Sequence, residues 1–250
     1  MTGRTHVFPV MPDDLDVWVV DLAAAGAQLA ALEQGRQLLT DWERARAQRI
    51  IDTRHRERWI AAHTALHVAL IARIGRPVAF SHPSGTAKPR VAGWDGDFSL
   101  SHSGTLALIA IRAQGSIGID AEVRRPVRLG AARRQLIELA GATALPAIPL
   151  PDDDPEMRFL AAWTRLEAIA KMRATGIGAL LETLGIIARS PGVAVVAART
   201  SELMMNEAQP VGLSVIDVGR FDAVAALASS PPAGPPRMHD LATELAHLSR

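Results

Sequence analysis

Two periods run through the hydrophobic and polar positions of this chain, and the switches between them mark its elements. Asp16-Val-Trp-Val-Val-Asp21 is a short apolar run bounded by acids and suits a buried strand. Residues 26–39 take a helical period, and Thr40 followed by Glu43 predicts a capping box that opens a second helix. Trp59 to Ile74 reads as a mostly apolar helix carrying His63, Thr64 and His67, closed by Gly75 and Pro77. Ser81 to Arg90 is a loop by its proline and glycine content. Asp97 to Gly104 and the apolar run Thr105–Arg112 predict a hairpin with Ser101-His102-Ser103-Gly104 at its turn. Gln114-Gly115 then turns the chain into a strand that ends in Gly118-Ile-Asp-Ala-Glu122.

Residues 129–141 predict a helix with Gly141 at its C-cap, and Ala142 to Pro155, with four prolines and three consecutive aspartates, a loop free to move. No proline interrupts Glu156 to Thr175, so this stretch reads as a helix that ends at Thr175-Gly176-Ile177-Gly178. Leu184–Ala188, Val193–Ala198, Val211–Val218 and Ala223–Leu227 predict strands. Ser229 to Pro236 reads as a linker, and 239–248 as a short amphipathic helix. Each half thus offers a strand, helices and further strands, with the break near Gly115.

Composition narrows the class. A chain of 250 residues makes one large domain or two modest ones, and its net charge of +1 gives no global case for nucleic acid. The absence of cysteine excludes disulfides and thiolate metal sites, and suits a reducing compartment. Arg4, Asp13, Asp14 and Asp16 lie where a secretory leader would need an apolar core. Apolar runs such as Leu106–Ile111 fall far short of the roughly 20 residues of a membrane span. The expectation is a soluble, cytoplasmic protein.

Candidate chemistry gathers around Trp163-Thr-Arg-Leu-Glu-Ala-Ile-Ala-Lys171. A spacing of four puts Trp163, Glu167 and Lys171 on one helical face. Alone, an exposed carboxylate and ammonium one turn apart are worth about 0.3–0.5 kcal/mol. Asp120 and Glu122, alternate residues of a strand, project to one side. With Glu167 they would supply an oxygen-rich site suited to Mg²⁺. Between Asp41 and Arg58, six arginines stand against four acids. They form either a solvated helical face or an anion-binding patch. His102, in its predicted turn, is either structural or functional.

Four stretches stand in order: Lys88-Pro89-Arg90, Phe98-Ser-Leu-Ser-His-Ser103, Gly118-Ile-Asp-Ala-Glu122, and Trp163 to Lys171 followed by Gly176 and Gly178. Together, over roughly residues 15 to 228, they resemble the 4′-phosphopantetheinyl transferases of the surfactin-synthetase-activating type. The corresponding family stretches are Gly-Lys-Pro, Phe-Asn-Leu-Ser-His-Ser, Gly-Ile-Asp-Val-Glu and Trp-x-x-Lys-Glu-x-x-x-Lys. Two positions depart from them, Ala87 in the place of glycine and Leu166 in the place of lysine.

The resemblance implies an α+β fold of two pseudo-duplicated lobes, 1–115 and 116–230, followed by a linker and C-terminal helix at 231–250. Coenzyme A (CoA) and Mg²⁺ would lie between the lobes. It implies transfer of the phosphopantetheine arm of CoA to a serine of an apo acyl or peptidyl carrier protein, with release of adenosine 3′,5′-bisphosphate. By carry-over Asp120, Glu122 and Glu167 hold the metal, Glu167 is also the base, and Lys171 stabilises phosphate charge. Lys88, Pro89, Arg90, Ser101 and His102 correspond to CoA-contacting stretches. Arg49, Arg58, His63 and Thr64 fall where adenosine and its 3′-phosphate are held. A monomer is implied, with a carrier drawn from fatty-acid, polyketide or peptide synthesis. Two rivals remain open at this point: a CoA- or carrier-binding paralogue without transfer, and a metal-dependent phosphohydrolase.

Overall fold

The computed structural model describes residues 15–81, 88–187 and 192–248. The first half runs β1 (Leu15–Asp21), α1 (Leu22–Arg36), α2 (Asp41–Gln48), α3 (Thr53–Ile74), β2 (Phe80–Ser81), β3 (Arg90–Val91), β4 (Asp97–Ser103) and β5 (Leu106–Arg112). The second runs β6 (Ser116–Val123), α4 (Ala131–Ala144), α5 (Pro155–Met172), α6 (Ile177–Thr183), α7 (Val193–Met204), β7 (Gly212–Val215) and β8 (Ala223–Ser230), and β9 (Arg237–His239) and α8 (Leu241–Leu248) follow. Among the described residues the main sheets have the orders β4-β5-β1-β9 and β6-β8-β7, all antiparallel except the pair β1–β9. The fold is therefore mixed α and β. No helix among the described residues is long and apolar enough to cross a membrane.

The two sheets lie face to face between layers of helix. Trp18, Val20, Ala107, Ile109 and Ile111 pack under α1, α3 and α8. Their alternate neighbours Leu15, Val17, Leu106, Leu108 and Ala110 meet Ile117, Ile119, Ala225 and Leu227 of the second sheet. The far face of that sheet, with Ala226 and Ala228, takes the apolar face of α5, including Leu160, Leu166 and Ile169. Burial on both faces is why these strands read as continuous apolar runs rather than as alternating ones.

Several elements differ from the sequence expectation. The hairpin turn is Gly104-Thr105, with Ser103 opposite Leu106 and Gly104 at φ +57°, so Ser101 and His102 lie inside β4. Glycine supplies that positive φ at no steric cost. Gly141 lies inside α4, where a Cβ would come 2.5 Å from Ala162 Cα. Its role is thus a close helix crossing, not a C-cap. The loop after α4 is held by the buried Arg165, which donates to the carbonyls of Gly141 at 3.0 Å, Leu145 at 3.4 Å and Ile148 at 2.9 Å.

Val193–Ala198, expected as a strand, is helix, because Val196, Thr200 and Leu203 form its buried stripe at spacings of four and three. Leu184 to Ile187 form turns rather than a strand, and Ala188 lies outside the described residues. In the expected linker, β8 continues to Ser230, and β9 further on adds to the first sheet. Asp16 anchors β9, accepting from Arg237 Nε at 2.9 Å and meeting His239 Nε2 at 2.7 Å.

Candidate active site

The site begins at a seam between the sheets. β6 is an edge strand, so the N–H groups of its alternate residues have no strand partner. Side chains of β4 supply the acceptors. Ile117 N–H donates to Asp97 Oδ2 at 2.8 Å, Ile119 to Ser99 Oγ at 3.1 Å, Ala121 to Ser101 Oγ at 3.3 Å, and Val123 to Ser103 Oγ at 3.2 Å. Two lysines cap carbonyls of the same edge. Lys88 Nζ donates to Ile117 O at 2.5 Å and to Asp97 Oδ2 at 2.6 Å. Lys171 Nζ donates to Ile119 O at 3.2 Å and Leu100 O at 3.4 Å. Ser99→Ala would strand the buried Ile119 N–H, and should lower stability in urea unfolding by about 1–3 kcal/mol.

The same hydroxyls orient the acids. Ser101 Oγ donates to Asp120 Oδ1 at 2.8 Å, and Ser103 Oγ to Glu122 Oε2 at 2.8 Å. Two alternate serines therefore fix two alternate carboxylates on one side of β6. Lys171 Nζ reaches Asp120 Oδ1 at 2.8 Å, while Asp120 Oδ2 is buried without a partner. Glu122 also pairs with Arg125 at 2.8 Å. On α5, Trp163, Glu167 and Lys171 are the half-buried stripe of a stretch otherwise buried from Phe159 to Met172.

The acids share one field. Burial raises the Glu167 carboxyl above its ordinary value, reinforced by Asp120 and Glu122 and opposed by Lys171. Burial also raises Asp120, against Lys171 and the Ser101 hydrogen bond. As the side chains stand, no three His, Asp or Glu groups among the described residues form a ready metal cluster. Asp120 bonds Ser101 and Lys171, and Glu122 bonds Ser103 and Arg125.

Beside the acids lies a cavity of about 410 Å³. His63, Lys88, Pro89, Ser101, His102 and Lys171 line it, with an apolar wall that includes Trp42, Leu66, Phe80 and Phe98. Burial pulls His102 down to about 4, helped by His63, His55 and Lys171 and opposed by Glu122, so its ring is neutral at pH 7. Burial likewise pulls Lys88 below the usual lysine value, against Asp97.

Other predicted residues stand apart from this cavity. Arg49 and Arg58 are exposed on the surface of α2 and α3, and Arg90 lines a smaller neighbouring cavity with Lys88 and Arg173. Thr64 is fully buried, its hydroxyl without a partner. Leu166 is also fully buried, so a lysine in its place would have to sink its ammonium into the core. Asp97, Ser99 and Ser103 are not among the site residues expected from the sequence. Their signal was present in the alternation Asp97-x-Ser-x-Ser-x-Ser103. Glu43, expected only as a cap, also lines the cavity.

No family model matches the chain. The 4′-phosphopantetheinyl transferase HetI of Nostoc sp. (strain PCC 7120 / SAG 25.82 / UTEX 2576) is 32% identical over 185 residues, which cover 69% of this chain and 74% of that protein. With a third of the aligned residues shared across most of both proteins, the chain belongs to the 4′-phosphopantetheinyl transferases and is a transferase enzyme of that type.

Proposed function

We propose that the protein transfers the 4′-phosphopantetheine arm of CoA to a serine of an apo acyl or peptidyl carrier protein, with Mg²⁺, releasing adenosine 3′,5′-bisphosphate. The observation that carries the reading is the junction of Lys171 with Asp120 at the edge of a cavity lined by Lys88, His63 and His102. Cations and hydrogen-bonding rings among its lining residues suit a phosphate-rich ligand. The apolar lining residues suit a base.

The donor set fits Mg²⁺. Asp120 Oδ2 is a buried carboxylate oxygen lacking a partner, and Glu122 and Glu167 add oxygen ligands of the hard type that this ion prefers. When bound between them, the metal would neutralise charge on the pyrophosphate.

The chain's own residues account for the rest. The carrier serine oxygen bonds to the β-phosphorus of CoA, the bridge to the α-phosphorus breaks, and the serine proton passes to Glu167. A carboxyl raised by burial and by two acidic neighbours is a stronger base than a free one. Lys171, the next residue of the same stripe, offsets phosphate charge, a role that Leu166 in the core leaves to it. Catalysis of this kind is mostly positioning and electrostatic stabilisation.

The matching strand orders β4-β5-β1 and β7-β8-β6 support a duplicated architecture of the surfactin-synthetase-activating kind. A cytoplasmic monomer is part of the same proposal. The test incubates the protein with CoA, Mg²⁺ and an apo carrier protein and reads the carrier's mass. A gain equal to the phosphopantetheine arm, lost on chelation, is expected. CoA binding without a mass gain would leave a binding paralogue, and free phosphate would leave a phosphohydrolase.

A further inference from the structure

Resting on that reading, we propose that Glu43 is a positioning residue that makes His63 a proton-coupled contact for the phosphates of CoA, one proton being taken up at His63 for each CoA bound. The cluster belongs to α2 and α3, and Glu43 and His63 both line the cavity. Glu43 is buried at the start of α2, and each of its oxygens is engaged. Oε1 meets His63 Nδ1 at 2.9 Å. Oε2 meets His67 Nε2 at 2.9 Å and accepts from Thr40 N–H at 2.8 Å and the Thr40 hydroxyl at 2.7 Å. Burial would raise this carboxyl, but the hydrogen bonds from His63 and His67 prevail and hold it well below the usual range.

An ionised carboxylate only accepts, so the proton of each contact sits on the imidazole. His63 therefore carries its hydrogen on Nδ1, and Nε2 is the ring atom left for a ligand. Trp59 lies flat against the ring, with centroids 3.7 Å apart and planes 21° from parallel, so the ring is held from two sides. In the neutral ring Nε2 is a lone pair and cannot donate to a phosphate. It donates only after taking a proton, and Glu43 then balances the new charge. The geometry that fixes the ring thus also fixes the atom that must be protonated.

Other titratable groups stand around the ring. His67 shares its helix, His102 comes from β4 and Lys171 from α5, Lys88 lines the same cavity, and His55 lies against His102. In the free protein burial holds His63 below its ordinary value, Glu43 working against that and His67 with it. A bound phosphate raises it. Between the two values affinity falls as pH rises, toward about tenfold per pH unit for one proton. Below the free value and above the bound one, this contribution is flat.

Calorimetry of CoA binding in chelator, in buffers of different protonation enthalpy between about pH 6.5 and 8, reads the linkage directly. CoA has titrating phosphates of its own, so the quantity that counts is the difference between wild type and variant. His63→Gln should take up about one proton fewer per CoA and lose the steeper part of the pH dependence. Glu43→Gln should do the same while weakening CoA about tenfold, and adding His63→Lys to Glu43→Gln should restore affinity without the pH dependence. Equal proton uptake in wild type and His63→Gln overturns the inference while leaving CoA binding and the transferase reading intact. No CoA binding by wild type at any pH overturns both.

Discussion

Asp120→Asn should lower kcat for carrier modification by about 10³-fold, the scale on which enzymes lose preorganised electrostatic stabilisation. The substitution removes charge and little else. The asparagine oxygen still accepts from Ser101 and Lys171, which hold Asp120 Oδ1 at 2.8 Å each. What disappears is the negative oxygen at the buried, unpartnered position on which metal binding would depend. Near-ultraviolet circular dichroism should therefore match wild type while conversion of apo to holo carrier falls to the detection limit. Turnover within tenfold of wild type would remove Asp120 from the proposed metal site and move the chemistry elsewhere in the cavity.

The second large effect is on the fold. A Cβ built on Gly118 would lie 2.0 Å from Ala168 O and 2.4 Å from Met172 N, both backbone atoms of α5. No side-chain rotation relieves such a contact, so α5 must move off β6. Gly118→Ala should cost about 3 kcal/mol or more, the upper range for overpacking a core. For a chain of this size that lowers Tm by roughly 6–12 °C. Activity should fall with it, since Glu167 and Lys171 ride on the displaced helix. An unchanged melting curve would mean that the close approach of α5 is not required.

This pairing explains what the sequence could and could not reveal. The glycine of Gly118-Ile-Asp-Ala-Glu122 was legible as part of a motif, but its reason, helix backbone resting on strand backbone, exists only in the packing. The long apolar helices around His63 and Glu167 were legible because each has one dominant period. Val193–Ala198 was misread because a short run of valine and alanine fits a strand or a helix equally well. The seam escaped for a different reason: serines are ordinary turn residues, and their value here depends on an edge strand supplied by the other half of the chain. His63 and His67 were read as members of one helix. Nothing local in the sequence joins them to Glu43, some twenty residues earlier.

The β4–β6 seam also limits how the enzyme can move. Hinged opening of the two sheets there would expose the amides of Ile117, Ile119, Ala121 and Val123 and release the serines that orient Asp120 and Glu122. Parting of the halves would therefore cost these hydrogen bonds together, and the seam favours motions that leave it closed. While the seam stays closed, Ser101 and Ser103 hold Asp120 and Glu122 at a fixed spacing, as though the two halves were a single casting.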